Sequence, residues 1–217
     1  MLALRLPWLF GNSEINMNNK NVILVGGGGH ARSLVENFSD FIGGYLAPEP
    51  NESLNLNLLG DDKDAPGLIK TGFLFNIAFV YAGSPSMDKR KTLIDFYKNI
   101  GAHFSSLISP AAFISPNSSL ASGVAIMPGV IINLAQIGEN SIINTGAIID
   151  HDSVIGNNCF IGPGVTMGGF CNVGDNCFIG LGTSIRNGIK IADGVTVGMG
   201  SIVTKDITKP GIYYGVI

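Results

Sequence analysis

Charge is scarce in this chain. Asp, Glu, Lys and Arg make up 13% of 217 residues, the formal net charge is -3, and no basic run occurs. Such a surface has too few cations to neutralise a row of phosphates, which argues against nucleic-acid binding. Cysteine is also rare. Three thiols in a chain of this length do not make a disulfide framework, so a reducing compartment, the cytoplasm, is expected. Long apolar runs are missing as well. Residues 1–16, MLALRLPWLFGNSEIN, are interrupted by Arg5 and Pro7. They are too short to cross a membrane and carry no clean signal-cleavage site. They read as a leader, or as residues ahead of a natural start at Met17, and are expected to be disordered and apart from the fold. What the chain has in abundance is apolar residues, 46%, and glycine, 30 residues. That composition is too apolar for disorder and suits a buried repeat.

The glycines and aliphatics follow a beat of six. Ile137, Ile143, Ile149, Ile155, Ile161, Met167, Val173, Ile179, Ile185, Ile191, Val197 and Val203 keep it without a break. Ile108, Ile114, Leu120, Ile126 and Ile132 precede them, and one residue is missing between Ile132 and Ile137. Glycine often follows the aliphatic position, and a small residue, including all three cysteines, sits four places after it. Six is neither a helical nor a simple strand period. It fits a solenoid of short strands, with one aliphatic per hexad in the bore and small residues at the corners. An all-β sandwich does not keep such a beat. The repeat resembles that of the hexapeptide-repeat acyltransferases, which implies a left-handed parallel β-helix in which residues eighteen apart stack.

Ahead of the repeat the chain reads as a small α/β unit. Residues 21–25 (NVILV) are a strand, residues 26–30 (GGGGH) a loop, and residues 31–41 a helix with Leu34, Val35, Phe38 and Phe41 on its inner face. Residues 48–70 read as loop, residues 75–82 (FNIAFVYA) as a buried strand, and residues 88–100 as a helix with Leu93, Phe96, Tyr97 and Ile100 inward. A glycine turn between strand and helix can present backbone N–H groups to an anion, or can simply be tight. The predicted organisation is a Rossmann-like α/β domain over residues 17–105 and an all-β left-handed parallel β-helix over residues 106–217.

This pairing resembles the nucleotide-sugar N-acetyltransferases and the related sialic acid O-acetyltransferases, most closely at VGGGGH (25–30), IMPGVIIN (126–133) and INTGAIIDHDSVIG (143–156). The resemblance implies a cytoplasmic homotrimer that binds acetyl-CoA between subunits. It implies a front domain whose Gly26, Gly27, Gly28, Gly29 and His30 hold the nucleotide sugar, and a role in bacterial surface-glycan synthesis, without metal or membrane.

His151 is the one histidine within the repeat, two residues past the bore-facing Ile149, so its ring should leave the coil. Asp150 and Asp152 flank it, and a carboxylate beside imidazole fixes the tautomer and raises basicity. Eighteen residues on lies Gly169, whose bare backbone should leave room for a thioester. The resemblance makes His151 the general base and Asp152 its partner. It makes Asn144 an acceptor-amine contact, and Gly169, Phe160 and Asn187 cofactor contacts, with the Gly169 N–H as oxyanion donor. Phe160 stands where relatives often have a second histidine. Glu49 is the lone acid in residues 45–50, where relatives have an acidic turn. Ser109-Pro110 replaces a His-Pro, and the chain ends YYGVI where relatives carry G-x-P-A-K. The residues leave amine and hydroxyl acceptors open. A γ-class carbonic anhydrase would need three histidine ligands, and an inert scaffold would not explain Asp-His-Asp stacked on a double glycine.

Overall fold

The computed structural model describes residues 20–80 and 84–217. The leader over residues 1–16 and the last two residues of the strand expected over residues 75–82 lie outside the described residues; that strand spans Leu74–Ile77 and so stops short of the expected end. The first strand, β1 (Val22–Val25), is buried throughout. Helix α1 (Gly29–Phe38) follows directly on the glycine loop, and β2 (Ile42–Leu46) comes next. After a single 3-10 turn at Glu52–Leu54 come α2 (Ala65–Lys70), β3 (Leu74–Ile77) and α3 (Ser84–Asn99). The three strands form a parallel sheet in the order β2-β1-β3.

Several expectations need correction. Helix α1 begins two residues earlier than predicted and stops at Phe38, so Phe41 lies beyond it and is exposed. The stretch expected as loop contains α2, which is short and starts with Pro66 in its first turn, a position that loses no helical hydrogen bond. Helix α3 begins four residues earlier than expected. Arg90, Ile94 and Tyr97 are buried on it, Leu93 and Ile100 pack partly buried against the same core as expected, and Phe96 is exposed and meets Tyr97 edge-on.

From Leu107 the chain forms a triangular coil of parallel strands of two or three residues in three sheets of seven, six and five strands, the left-handed β-helix expected from the repeat. Partners lie eighteen residues apart, as in Ile143↔Ile161 and Ile149↔Met167. Across the gap in the beat they lie seventeen apart, as in Ile132↔Ile149 and Ile137↔Leu120. Every bore position from Ile132 to Val203 is buried. The three cysteines are buried and free, each Sγ near a carbonyl of the next coil, such as Gly174 for Cys159. They are packing residues.

The front unit docks on the corner between the five- and seven-stranded sheets. Lys98 pairs with Glu139 at 2.5 Å, and the Asn158 amide reaches the Met87 carbonyl at 3.4 Å. Arg90, 1% exposed, crosses that seam: its guanidinium donates to the Asn158 side chain and to the Ile77 carbonyl. Both acceptors are neutral, and burial holds the Arg90 pKa down to about 9.

Candidate active site

His151 stands at a different corner, between the six- and five-stranded sheets. Its strand, Ile148–Ile149, is followed by Asp150. The Asp150 carboxylate accepts the His151 backbone N–H at 2.8 Å and an N–H of the Asn133 side chain at 3.1 Å, which holds that carboxyl below the usual range. Asp152 then turns the chain with φ of 58°, a left-handed conformation that Asp tolerates. Its Oδ2 lies 2.9 Å from His151 Nδ1. A carboxylate only accepts, so Nδ1 carries the proton and Nε2 the free lone pair. The hydrogen bond to Asp152, with the charge of Asp150, raises the imidazole pKa above 6.5 against a smaller opposing effect of desolvation.

Both stacking neighbours of His151 are cut back. On one side lies Gly169. A Cβ built there would stand 2.7 Å from Nε2, so glycine alone leaves the ring in place. The Gly169 N–H has no acceptor among the described residues and is free to donate. On the other side is the coil that is one residue short. Asn133 aligns with Asp150 by bonding to the Ile149 carbonyl, and the Leu134 carbonyl receives the Asp152 N–H. The missing residue is therefore the one that would have stacked on His151. The irregularity in the hexad beat and the Gly168-Gly169 pair both open space around the same imidazole.

The ring of Phe170 closes this space on one flank, edge-on to His151 with centroids 5.1 Å apart and planes at 86°. Sequence reasoning missed this residue. The signal was present: an aromatic at a turn position that this repeat fills mostly with glycine or asparagine.

Asn187 is exposed on the coil after Gly169, in the same column as His151. Asn144 lies at the next corner of the coil, and its Oδ1 accepts the Thr145 N–H at 2.7 Å, a turn-capping contact. Phe160 is on the seven-stranded sheet, nearly buried, stacked on Phe178 at 4.8 Å and 12°. Within one chain neither Asn144 nor Phe160 adjoins His151.

In the glycine loop the four glycines divide into two kinds. Gly26 has φ of 110°, and a Cβ on it would meet the Phe79 backbone at 3.2 Å; on Gly27 it would stand 3.0 Å from the Tyr45 ring. These two are needed by the fold. A Cβ on Gly28 or Gly29 would meet nothing within 4 Å among the described residues, and neither has a positive φ, so no described contact demands them. The loop is fixed from below by Asn51, whose amide donates to the Gly27 carbonyl at 2.7 Å. Gly28 forms the α1 N-cap without a side-chain cap, leaving the first helical N–H groups unsatisfied. His30 Nε2 is buried with no hydrogen-bond partner among the described residues, and burial, with the nearby Arg90 charge, lowers its pKa to about 4. Glu49 is exposed.

The bacterial transferase hexapeptide family matches residues 135–169, and the hexapeptide repeat of succinyl-transferase matches residues 172–205. No curated protein matches the chain. Among solved structures, PerB from Caulobacter crescentus, in complex with CoA and GDP-perosamine, is 32% identical over 90% of this chain and 94% of its own, with TM-score 0.82. This chain belongs to the nucleotide-sugar N-acetyltransferase family of hexapeptide-repeat enzymes. It is an acetyltransferase. A histidine-to-asparagine variant of the same Caulobacter enzyme, described as perosamine N-acetyltransferase, also matches at 31% identity, with the same two ligands bound. The acetyltransferase domain of PglB from Neisseria gonorrhoeae, in complex with acetyl coenzyme A, shares the fold at 24% identity, covering 91% of this chain and 97% of that one, with TM-score 0.82. WeeI from Acinetobacter baumannii shares it at 19% identity, covering 88% of this chain and 94% of its own, with TM-score 0.71.

Proposed function

We propose that the enzyme transfers the acetyl group of acetyl-CoA to the amino group of a nucleotide-linked amino sugar, for bacterial surface glycans, with His151 as general base. The observation that carries this reading is the Asp152–His151 pair facing the bare Gly169 backbone. Neutral Nε2 takes a proton from the acceptor amine as the nitrogen attacks the thioester carbonyl. Negative charge then develops on the carbonyl oxygen, where the free Gly169 N–H would donate. When the tetrahedral intermediate collapses, the C–S bond breaks and the proton on Nε2 passes to the leaving thiolate, so the imidazole ends neutral. Asp152 stabilises the transient imidazolium. Acetyl-CoA is a co-substrate, and no step requires a metal.

The front unit would hold the nucleotide. Gly28, Gly29 and the open N-terminal turn of α1 suit a diphosphate, which needs close backbone approach and unsatisfied N–H groups. The Caulobacter relative binds GDP-perosamine and CoA, which supports both ligand classes here. The outer face of the six-stranded sheet exposes Phe113, Ile131 and Ile148 on adjacent strands, then the polar Thr166 and Ser184, then Ile202. An apolar stripe of this kind supports assembly as a homotrimer, which would bring Asn144 and Phe160 of one subunit towards another subunit's site. Light scattering that returned a monomer at micromolar concentration would remove the trimer from this account.

The experiment is a panel of UDP-, GDP- and dTDP-linked amino sugars incubated with acetyl-CoA, with products read by mass spectrometry. An acetylated product stable to hydroxylamine is the expected amide. A hydroxylamine-labile ester would assign the enzyme to sugar hydroxyls, and no product from any donor–acceptor pair would reject the reading.

A further inference from the structure

The turn position next to His151 carries residues that the fold alone would not choose. Leu134, Asp152, Phe170 and Gly188 occupy it in successive coils, with φ of 50°, 58°, 59° and 78°. The positive-φ turns elsewhere in the repeat carry Gly or Asn, among them Gly146, Gly164 and Gly182 on one corner and Asn140, Asn158 and Asn176 on another. This is the expected chemistry, since a side chain in the left-handed region costs conformational energy that glycine avoids and asparagine tolerates. Leu134 and Phe170 are the only apolar residues at positive φ among the described residues. Phe170 is also 62% exposed, so burial within the chain does not offset the strain. Strained, exposed, bulky residues persist where function holds them.

What Phe170 touches is the imidazole, edge-on at 5.1 Å. His151 is otherwise held through Nδ1 by Asp152, while Gly169 offers it no side chain. Without the phenyl ring the imidazole could turn about its own bonds into the space that Gly169 and the short coil leave. We propose that Phe170 is a positioning residue for His151: its ring pins the imidazole so that Nδ1 stays on Asp152 and Nε2 faces the Gly169 backbone. Leu134 stands exposed on the far side of Asp152 in the same column. This inference rests on the reading of His151 as the base.

The sharpest test sets stability against activity. Phe170→Gly in the full chain removes the strain and the ring together. Its melting temperature should equal or exceed that of the wild type, with the same assembly by light scattering. Turnover should fall roughly 10- to 100-fold, as misplacement of a reacting group by about 1 Å does. The KM for acetyl-CoA should stay within about twofold, the size of change that loss of uniform binding would exceed. The acid limb of the pH–rate profile should move down towards pH 6.5 as the contact with Asp152 loosens. Phe170→Tyr, which keeps the ring, should recover most of the rate. Full turnover with an unmoved pH limb in Phe170→Gly would overturn the proposal, and so would an activity loss accompanied by a broken assembly. His151→Ala serves as the control. If it is inactive while Phe170→Gly is fully active, only this inference fails; if His151→Ala is itself active, the reading beneath it fails too.

Discussion

A single methyl group added at Gly169 should separate folding from catalysis. The Cβ of Gly169→Ala would lie 2.7 Å from His151 Nε2, 2.8 Å from Cε1 and 3.0 Å from Cδ2. Ordinary contact begins at 3.4 Å, so Nε2 must retreat by 3.4 − 2.7 = 0.7 Å. Gly169 has no positive φ, so alanine strains no backbone there. The atoms in the way belong to the end of an exposed side chain, which can rotate aside. The unfolded chain meanwhile loses some freedom, worth about 0.4–1 kcal/mol in favour of the fold. Folding stability should therefore change by less than about 1 kcal/mol. Displacement of the base by nearly 1 Å should cost roughly 100-fold in turnover. Because the Gly169 N–H survives the substitution, the loss would report on imidazole placement rather than on the oxyanion donor. The assay is kcat under saturating co-substrates beside a urea titration. Unchanged kcat in a folded Gly169→Ala would refute the claim that the bare backbone exists to seat His151.

Other consequences follow from the same geometry. Gly28→Val should fold normally, since its Cβ meets open space, yet weaken nucleotide-sugar binding in calorimetry while acetyl-CoA binding holds; equal acceptor affinity would return the loop to a merely tight turn. Because the His151 pKa is raised, the neutral base is lost earlier on acidification, and kcat should fall below an apparent pKa that lies above 6.5. The folding contribution of that group runs the opposite way, present below 6.5 and lost as pH rises through the folded value. His30 is depressed to about 4, so the unfolded chain binds the proton first. Stability should then decline as pH falls from 6.5 towards 4, by on the order of 3 kcal/mol in all, and His30→Gln should flatten that part of a urea-derived pH curve.

Much of the fold could be read directly. A six-residue beat has one solution for its bore positions, and Ile132 to Val203 are all buried where it placed them. The missing residue after Ile132 was visible too, but its meaning was not. Only stacking at seventeen rather than eighteen residues shows that the gap lies against His151. Phe170 escaped because Gly168 and Gly169 drew the reading, while the neighbouring aromatic at a left-handed turn gives no periodic signal. Arg90 escaped for a different reason. It sits in the polar run MDKRK, where burial depends on a docked β-helix corner, and no pattern local to α3 reveals that contact. Phe96 was expected inward for the same lack of tertiary information: two adjacent aromatics, Phe96 and Tyr97, cannot both face the sheet, and Tyr97 also gains a hydrogen bond to Asp62 at 2.8 Å.

The central claim is that His151 takes the proton from the acceptor. It is tested most directly by the turnover of His151→Ala with acetyl-CoA and the nucleotide-linked amino sugar that the wild type accepts. The imidazole leaves the coil and packs against little beyond the Phe170 ring and the Gly169 backbone, so the variant should fold and assemble like the wild type. Its kcat should be lower by about 10²–10⁴, the usual contribution of a general base. Near-wild-type turnover in a correctly folded His151→Ala would show that the amine arrives already deprotonated, or that the chemistry occurs elsewhere on the coil.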